Sequence, residues 1–222
     1  MKTGTKRDLL ILTTEKVSQD RQEALRSMGA KVFQVEIIKA QNLKRANSSW
    51  IDTWTKFHIW EMTEYSKVVF MDSDMFVRNN IDSLFAYPEV SAVRDVILSF
   101  HGERLFNSGL FVLKPSLETH RMIFDFIERF PKDHKFSYPG DQGILNDFFK
   151  DKWFELPSTF NFAKSFDLPY CDNYVHKHIY NQNFISVVHY NVNKPWRPYA
   201  DKEKVKEWLD CYESLPGEIK KF

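Results

Sequence analysis

The sequence predicts an α/β protein with a mostly parallel sheet flanked by helices, and two observations lead to this prediction. At the start of the chain, the strand-like residues 9–12 and 32–38 enclose a helix-like stretch, residues 20–28. Further along, residues 68–71 and 110–113 are apolar at every position, which is typical of strands covered on both faces. Alternation of strands and helices favours parallel strands joined by helical crossovers.

The first half of the chain contains one helix with clear end signals and one aromatic stripe. Ser18 can cap the helix of residues 20–28, and Gly29 can close it. Aromatic residues then recur at three- and four-residue steps, which predicts the buried face of a helix that ends near Tyr65. The stripe consists of Trp50, Trp54, Phe57 and Trp60. We interpret it as core and not as an aromatic platform for a sugar.

A second helix follows the strand of residues 110–113. Ser116 can cap this helix, and Pro131 stops it because proline lacks the amide hydrogen that a helix needs. Its apolar residues share one face, which predicts packing against the sheet. This face consists of Met122, Ile123, Phe126, Ile127 and Phe130.

The last third of the chain contains two further helices and one strand. Asp141 can cap the first of these helices, and residues 184–188 predict a strand that leads into His189. Residues 156–183 have no clear periodicity and are expected to form an irregular loop region that could border a site. The final amphipathic helix, residues 201–212, could pack on its own sheet or on a partner in a homodimer. We expect this helix to pack on its own sheet.

Composition fits one domain and argues against two classes of partner. The chain has 222 residues, of which 43% are hydrophobic, so we expect a single domain over residues 1–222. The 31 basic and 30 acidic residues nearly balance, which argues against nucleic acid and an anionic membrane surface as partners. No apolar run reaches the roughly 20 residues of a membrane span, and residues 1–8 lack the apolar stretch of a signal peptide. We therefore expect a soluble, cytoplasmic protein.

Two acidic residues and a histidine lie where a metal ion could be held. Asp72 and Asp74 follow the apolar strand of residues 68–71, and His189 follows another strand. Ligands of open α/β sheets gather beyond the carboxyl ends of the strands, so these side chains can converge. Residues two apart on an extended backbone point the same way, which lets both carboxylates reach one cation. Oxygen ligands with one imidazole suit Mn²⁺ or Mg²⁺ and leave positions for diphosphate oxygens.

Each residue near this group also has an ordinary structural interpretation. An Asp-x-Asp sequence is short enough to occur by chance and is often a turn or a helix cap, although its place after a strand favours the functional interpretation. His189 taken alone is more often a hydrogen-bonded histidine of the core or rim. Lys194 could offer its charge to a phosphate, or it could be a solvated lysine before the rigid turn at Pro195.

Two short polar motifs could contact a sugar. Residues 106–109 include Asn107 and Ser108, whose small side chains could hydrogen-bond a sugar or only cap the entry of the next strand. In residues 140–143, Asp141 and Gln142 could present a carboxylate and an amide to a sugar. Asp141 could instead be only a helix N-cap. Composition does not separate these alternatives.

Several segments taken together resemble glycosyltransferase family 8, in particular its glycogenin and galactinol synthase branches. The resemblance spans about residues 8 to 197, and its motifs follow the family's order, which makes them far more specific than a single Asp-x-Asp. The motifs are residues 55–60 (TKFHIW), 65–74 (YSKVVFMDSD), 80–85 (NIDSLF), 106–112 (FNSGLFV), 115–116 (PS), 140–146 (GDQGILN), 187–190 (VVHY) and 194–196 (KPW).

The resemblance implies a GT-A fold, a UDP-sugar donor, Mn²⁺, and transfer to a carbohydrate or protein hydroxyl with retention of the anomeric configuration. By position, Asp72, Asp74 and His189 match the family's metal ligands. Lys194 matches a lysine that touches the diphosphate, and Lys56 matches one near the donor sugar and phosphate. The residues that match the sugar pocket are Asp95, Asn107, Ser108, Asp141 and Gln142.

The chain also departs from the family pattern. Residues 138–139 (YP) stand where the family usually has an acid, which leaves Asp141 as the acid of that loop. The connection at residues 191–193 lacks the usual glycine, so different phosphate contacts are expected there. Residues 7–38 match the family's second strand-helix-strand portion, which implies that the first strand and helix are missing; alternatively, residues 12–14 are a shortened first strand. We therefore assign no uracil-binding residues.

Mechanism and acceptor remain open at this stage. The acceptor hydroxyl is expected to attack from the face that holds Asp141 and Gln142, either directly or through a short-lived covalent intermediate. Tyrosines that could be self-glycosylated fall in the irregular loop region, although no local motif marks one of them. They are Tyr170, Tyr174 and Tyr180. The rival functions are a degenerate nucleotide-sugar-binding module, which predicts UDP binding without turnover, and a metal-dependent nucleotide-sugar hydrolase or pyrophosphorylase.

Overall fold

The computed structural model describes most of the chain as alternating helices and strands, which confirms the predicted α/β class. The described residues are 3–38, 52–95, 104–131, 134–137, 140–163, 184–191, 194–203 and 205–220. They divide into two compact units. Unit 1 consists of Met1–Lys6, Met71–Ser83 and Pro157–Phe222, and unit 2 consists of Arg7–Phe70 and Leu84–Leu156. The single-domain organisation and the missing first strand-helix unit stay predictions.

Unit 2 begins with a strand-helix-strand crossover, as predicted. Strand β1 (Leu10–Thr13) pairs in parallel with β2 (Lys31–Gln34), and helix α1 (Gln19–Ser27) connects them. Gly29 follows the helix with φ +90°, a left-handed conformation that glycine adopts without the steric penalty of a side chain. Strand β2 is shorter than the predicted residues 32–38.

The aromatic stripe forms a 3₁₀ helix, Thr53–Glu61, and not the predicted α-helix. A 3₁₀ helix has about three residues per turn, so side chains three apart lie above one another. Trp54, Phe57 and Trp60 have this spacing and are almost fully buried, which confirms that they belong to the core. Trp50 lies outside the described residues.

The main sheet of unit 2 has four strands in the order β3-β6-β5-β7. They are β3 (Val68–Met71), β5 (Ser91–Arg94), β6 (Phe106–Leu113) and β7 (Phe154–Leu156). Strand β5 pairs antiparallel with β6 and parallel with β7, so the sheet is mixed. The aromatic 3₁₀ helix packs on this sheet, since Trp60 stacks on Phe111 with ring centroids 5.6 Å apart.

Two helices complete unit 2, α2 (Leu117–Glu128) and α3 (Asp141–Phe148). In α2 the predicted apolar face is centred on Ile123 and Ile127, which are buried, while Met122 is 48% exposed. Successive helix residues are about 100° apart, so Met122 falls beside this face and not within it. In α3 the cap is Gly140, and Asp141 is the first helical residue; the prediction that Asp141 caps this helix was therefore wrong.

Unit 1 contains a three-stranded sheet in the order β4-β9-β8. The strands are β4 (Met75–Val77), β8 (Phe162–Ala163) and β9 (Val187–His189). Strand β9 pairs antiparallel with β4 and parallel with β8. It begins later than the predicted residues 184–188, and Phe184 is 70% exposed.

Two short helices end unit 1, α4 (Lys206–Glu213) and α5 (Gly217–Lys220). Helix α4 begins later than the predicted residue 201. Its Trp208 and Leu209 pack against the apolar cluster around Val188 and Tyr190, so the helix packs on its own sheet, as expected. None of the helices in the described part of the chain combines the length and apolar composition that a membrane crossing needs.

Replacing Ser116 with alanine is expected to lower the free energy of unfolding by about 1 kcal/mol. The Ser116 hydroxyl accepts a hydrogen bond from the backbone amide of Thr119 at 3.1 Å, so its loss leaves a helix-end amide without this partner. Urea-induced unfolding measures the change. Ser18→Ala is a matched control, because Ser18 occupies the cap of α1 without a side-chain hydrogen bond. Equal losses for the two variants would contradict the capping argument.

Candidate active site

Backbone pairing in unit 1 brings Asp74 next to His189. Asp72 follows β3 directly, and a tight turn leads through Asp74 into β4, with the Met75 amide donating to the Asp72 carbonyl at 3.2 Å. Met75 lies opposite His189 in the β4–β9 pair. The Tyr190 amide donates to the Asp74 carbonyl at 2.9 Å, which extends this register. Backbone pairing of β4 with β9 therefore produces the predicted convergence of Asp74 and His189.

The three predicted metal ligands lie close together. One ligand atom each from Asp72, Asp74 and His189 falls within 4.8 Å of the other two. The Asp74 Oδ1 atom and the His189 Nε2 atom are 3.3 Å apart. Asp74 and His189 are buried, with exposed fractions of 8% and 4%, whereas Asp72 is partly exposed. Two of the three predicted ligands are therefore buried, and the third is partly exposed.

Asn161 fixes the orientation of His189, and sequence reasoning missed it. The His189 Nδ1 atom lies 3.0 Å from the Asn161 Oδ1 atom, and both residues are buried. Because the amide oxygen only accepts hydrogen bonds, the Nδ1–H group donates to it, which holds the ring with Nε2 toward Asp74. The only sequence signal was the composition of the loop region, which is rich in asparagine.

The chemistry of this donor set fits a divalent cation. The Asp74 Oδ1 atom is buried and has no hydrogen-bond donor among the described residues. It lies 3.3 Å from the His189 Nε2 atom, and a metal ion can take the place of a proton between these two ligand atoms. Two carboxylates and one imidazole are ligands that Mn²⁺ and Mg²⁺ accept, so the predicted site passes this test.

Lys194 directly contacts Asp74, one of the three predicted metal ligands. Its Nζ atom donates a hydrogen bond to the Asp74 Oδ2 atom. Burial alone would raise the pKa of Asp74, but the interaction with His189 and then that with Lys194 outweigh it and hold the pKa well below its usual range. Asp74 therefore stays ionised, as a metal ligand must.

A second polar cluster lies in unit 2 and contains the predicted sugar-pocket residues. The Lys56 Nζ atom and the Asp141 Oδ2 atom are 2.7 Å apart, and both side chains are 9% exposed. The Ser108 hydroxyl donates to the same Asp141 oxygen at 2.6 Å, and Lys56 also donates to the Ser108 carbonyl at 3.3 Å. The ammonium group lies 4.9 Å from the centroid of the Phe70 ring. Because the Asp141 carboxylate makes these contacts with Lys56 and Ser108, it does not cap α3.

Gln142 joins the remaining predicted residues to this cluster. Its Oε1 atom accepts from the Ser108 amide at 3.2 Å, and its Nε2 atom donates to the Asp95 carboxylate at 3.1 Å. Asn107 donates to the same Asp95 oxygen at 3.3 Å. All five predicted sugar-pocket residues and Lys56 thus share one hydrogen-bonded network in unit 2.

Asn146 anchors this network and was missed as a positioning residue. Its side-chain oxygen accepts from the Phe106 amide at 2.8 Å, and its nitrogen donates to the carbonyls of Phe106 and Gln142, both at 2.9 Å. The side chain is buried and fixes the start of α3 to β6. Its position one helical turn after Gln142 is a signal that could have identified it.

Replacing Asn161 with alanine is expected to weaken Mn²⁺ binding by about 10- to 100-fold, because His189 loses the acceptor that fixes its proton and ring orientation. Calorimetric titration with Mn²⁺ measures the change. Asn80→Ala is the control, because Asn80 is exposed and belongs to the same unit. Unchanged affinity in Asn161→Ala would contradict the positioning role.

Comparison with known proteins identifies related sequences. A family model described as "Glycosyl transferase family 8" matches residues 5–200. The chain is 33% identical to UDP-glucuronate:xylan alpha-glucuronosyltransferase 2 of Arabidopsis thaliana over 90% of its own length. It is 36% identical to Glycogenin-1 of Oryctolagus cuniculus over 92% of its own length. It spans only 32% of the length of the first relative and 55% of the second.

Solved structures share the fold at low sequence identity. The galactosyltransferase LgtC, solved with donor and acceptor sugar analogs, has a TM-score of 0.59 at 17% identity, covering 96% of this chain and 98% of LgtC. The apo-form glycosyltransferase GlyE of Streptococcus pneumoniae TIGR4 has a TM-score of 0.60 at 19% identity, covering 96% of this chain and 65% of GlyE. At these identities the likeness establishes a common fold and nothing finer.

Proposed function

Because the chain belongs to glycosyltransferase family 8, we propose that it transfers a hexose from a UDP-sugar to a hydroxyl acceptor with retention of the anomeric configuration and with Mn²⁺ as cofactor. Its fold is the GT-A fold, as the resemblance implied. One observation carries the proposal, namely the convergence of Asp72 with the buried Asp74 and His189, in which the Asp74 Oδ1 atom has no hydrogen-bond donor among the described residues.

Residues of unit 1 would bind the donor's diphosphate. Asp72, Asp74 and His189 would hold the ion, and a bound Mn²⁺ neutralises negative charge on a departing nucleoside diphosphate. The ammonium group of Lys194, which donates to Asp74, is 30% exposed and adds a second positive charge beside this group. It can exchange its carboxylate partner for a phosphate oxygen, because both are anionic acceptors.

The network of unit 2 would bind and orient the sugar. Asp95 and Asn107 offer a carboxylate and an amide to sugar hydroxyls. Gln142 is held at both ends of its amide, so its position is defined before substrate arrives. Such preorganisation lowers the entropic cost of orienting the reacting centre.

Asp141 supports direct transfer over a covalent intermediate. Its carboxylate is paired with Lys56 at 2.7 Å and also accepts from the Ser108 hydroxyl. Both contacts withdraw electron density from the carboxylate, which lowers its nucleophilicity. We therefore assign Asp141 and Gln142 to orienting the sugar and acceptor while the acceptor hydroxyl attacks from the face of the departing diphosphate.

The relatives suggest which donors and acceptors to test. Two of them carry names that specify UDP-glucuronate and xylan, and another is named glycogenin. A carbohydrate hydroxyl and a protein hydroxyl are therefore both reasonable acceptors for this chain.

Mn²⁺-dependent release of UDP tests the proposal. The chain is incubated with UDP-glucose, UDP-glucuronate, UDP-galactose and UDP-xylose, each with and without xylan oligosaccharide, and the protein is then weighed by mass spectrometry. Acceptor-dependent UDP release that chelation abolishes would support transfer and identify the donor. An added sugar mass on the protein would indicate self-modification. UDP binding without turnover of any donor would instead favour a non-catalytic binding module, and turnover that no acceptor accelerates would favour a hydrolase.

A further inference from the structure

A second group of possible metal ligands lies in unit 2 and has no part in the proposed transfer. His58 and Glu61 are three residues apart on the aromatic 3₁₀ helix, and this spacing places their side chains above one another. Helix α2 packs against the 3₁₀ helix and brings in His120. Together these residues form what we call the His-Glu-His cluster.

The ligand atoms of the His-Glu-His cluster converge. One atom from each residue falls within 4.8 Å of the other two. The His58 Nδ1 atom lies 2.5 Å from the Glu61 Oε2 atom, and the His120 Nε2 atom lies 3.7 Å from Glu61 Oε1. The histidine side chains are 15% and 20% exposed, and that of Glu61 is 37% exposed, so the cluster is shielded yet open on the carboxylate side.

Each of the two imidazole rings turns one nitrogen toward Glu61. The His58 Nε2 atom lies 3.0 Å from the Glu36 carbonyl and its Nδ1 atom faces the Glu61 carboxylate, so a metal ion bound at Nδ1 would replace the proton that joins this nitrogen to Glu61. The His120 Nε2 atom is buried and has no hydrogen-bond partner among the described residues.

We propose that His58, Glu61 and His120 form a second metal site, selective for a transition metal such as Zn²⁺ and separate from the Asp72-Asp74-His189 group. Two imidazoles and one carboxylate are a common zinc donor set and leave a fourth position for water. Bond lengths of about 2.0–2.2 Å place tetrahedral ligand atoms roughly 3.3 Å apart. The distances in the cluster lie on both sides of this value, and the partly exposed Glu61 can rotate to equalise them.

A metal ion bound by the His-Glu-His cluster would link the 3₁₀ helix to α2. The same 3₁₀ helix carries Lys56, whose ammonium group holds Asp141 and Ser108. Fixing the helix therefore supports the position of Lys56. The role of Lys56 in sugar binding rests on the proposed function, whereas zinc binding by the cluster does not.

Zinc binding is tested in an Asp74→Asn background, which removes a ligand of the other metal group. Equilibrium dialysis with elemental analysis measures bound Zn²⁺, and thermal unfolding measures stabilisation by Zn²⁺. We expect about one equivalent of tightly bound zinc and a raised Tm. Adding His120→Gln should weaken zinc binding at least tenfold and remove the rise in Tm, and Glu61→Gln, at a more exposed position, should do the same.

His134→Gln is the matched control, because His134 lies in unit 2 and stacks on Phe130 at 4.1 Å, outside the cluster. Circular dichroism confirms that each variant is folded. Equal zinc affinity in His120→Gln, Glu61→Gln and His134→Gln would overturn the proposal, as would absence of zinc binding in the folded background protein. Because the readouts are metal content and Tm, failure of UDP release would leave this result unaffected.

Discussion

Replacing Asp74 with asparagine is expected to lower Mn²⁺-dependent sugar transfer by about 10³-fold, since a bound metal supplies several kcal/mol of transition-state stabilisation. Asp74 combines three features that favour this large effect: it is buried, its pKa is held low, and its Oδ1 atom has no hydrogen-bond donor among the described residues. The variant keeps the size of the side chain and removes its charge. Initial rates of UDP release at saturating donor measure the loss.

Asp210→Asn provides the matched control for this variant. Asp210 lies on α4 in unit 1, and its side chain is 62% exposed in a surface pair with Lys206. Loss of this exposed charge should leave transfer unchanged, because surface pairs contribute little. Full activity of Asp74→Asn at the same Mn²⁺ concentration would rule out a metal-binding role for Asp74.

Replacing Lys56 with methionine is expected to lower the free energy of unfolding by about 3–5 kcal/mol. The reason is the carboxylate of Asp141, which would remain almost fully buried without the ammonium group that lies 2.7 Å away. Methionine keeps most of the apolar stem of lysine and its contact with the Phe70 ring, so lost packing adds little. Chemical denaturation measures the change.

A double-mutant cycle separates this charge effect from the loss of packing. Lys56→Met combined with Asp141→Asn removes both charges, and it should be more stable than Lys56→Met alone. Lys206→Met removes a lysine from an exposed pair and should change stability little. If the double variant were no more stable than Lys56→Met, the buried ion pair would not be the source of the loss.

Asp72, Asp74 and His189 lie close together, as the sequence predicted, but by a different route from the one predicted. The prediction relied on ligands gathering at strand ends, and Asp72 and His189 do lie at the ends of β3 and β9. These strands belong to different sheets, however, and the antiparallel pairing of β4 with β9 is what brings the side chains together. The resemblance added Lys56 and Asp95, which are distant from the other sugar-pocket residues in sequence. The structure places both in the same hydrogen-bonded network.

Features that depend on pairing between distant segments of the chain could not be predicted from the sequence. Asn161 contacts His189 because β8 pairs with β9, and no local sequence pattern indicates that these strands pair. The type of the aromatic helix was also missed, because buried residues at three-residue spacing are compatible with both helix types. Asp141 has the chemistry of a cap, but it is the first helical residue, and its carboxylate pairs with Lys56 from a distant element.

The discontinuous composition of the two units has a consequence for biosynthesis. Unit 2 ends at Leu156, so every residue of the Lys56-Asp141 network has been translated before the final segment of unit 1 begins. Chains fold as they emerge from the ribosome, beginning with the N-terminal portions. The nascent chain can therefore assemble this network before His189 and Lys194 have left the ribosome. Completion of the Asp72-Asp74-His189 triad would then be a late step in maturation, and a chain released early would lack it.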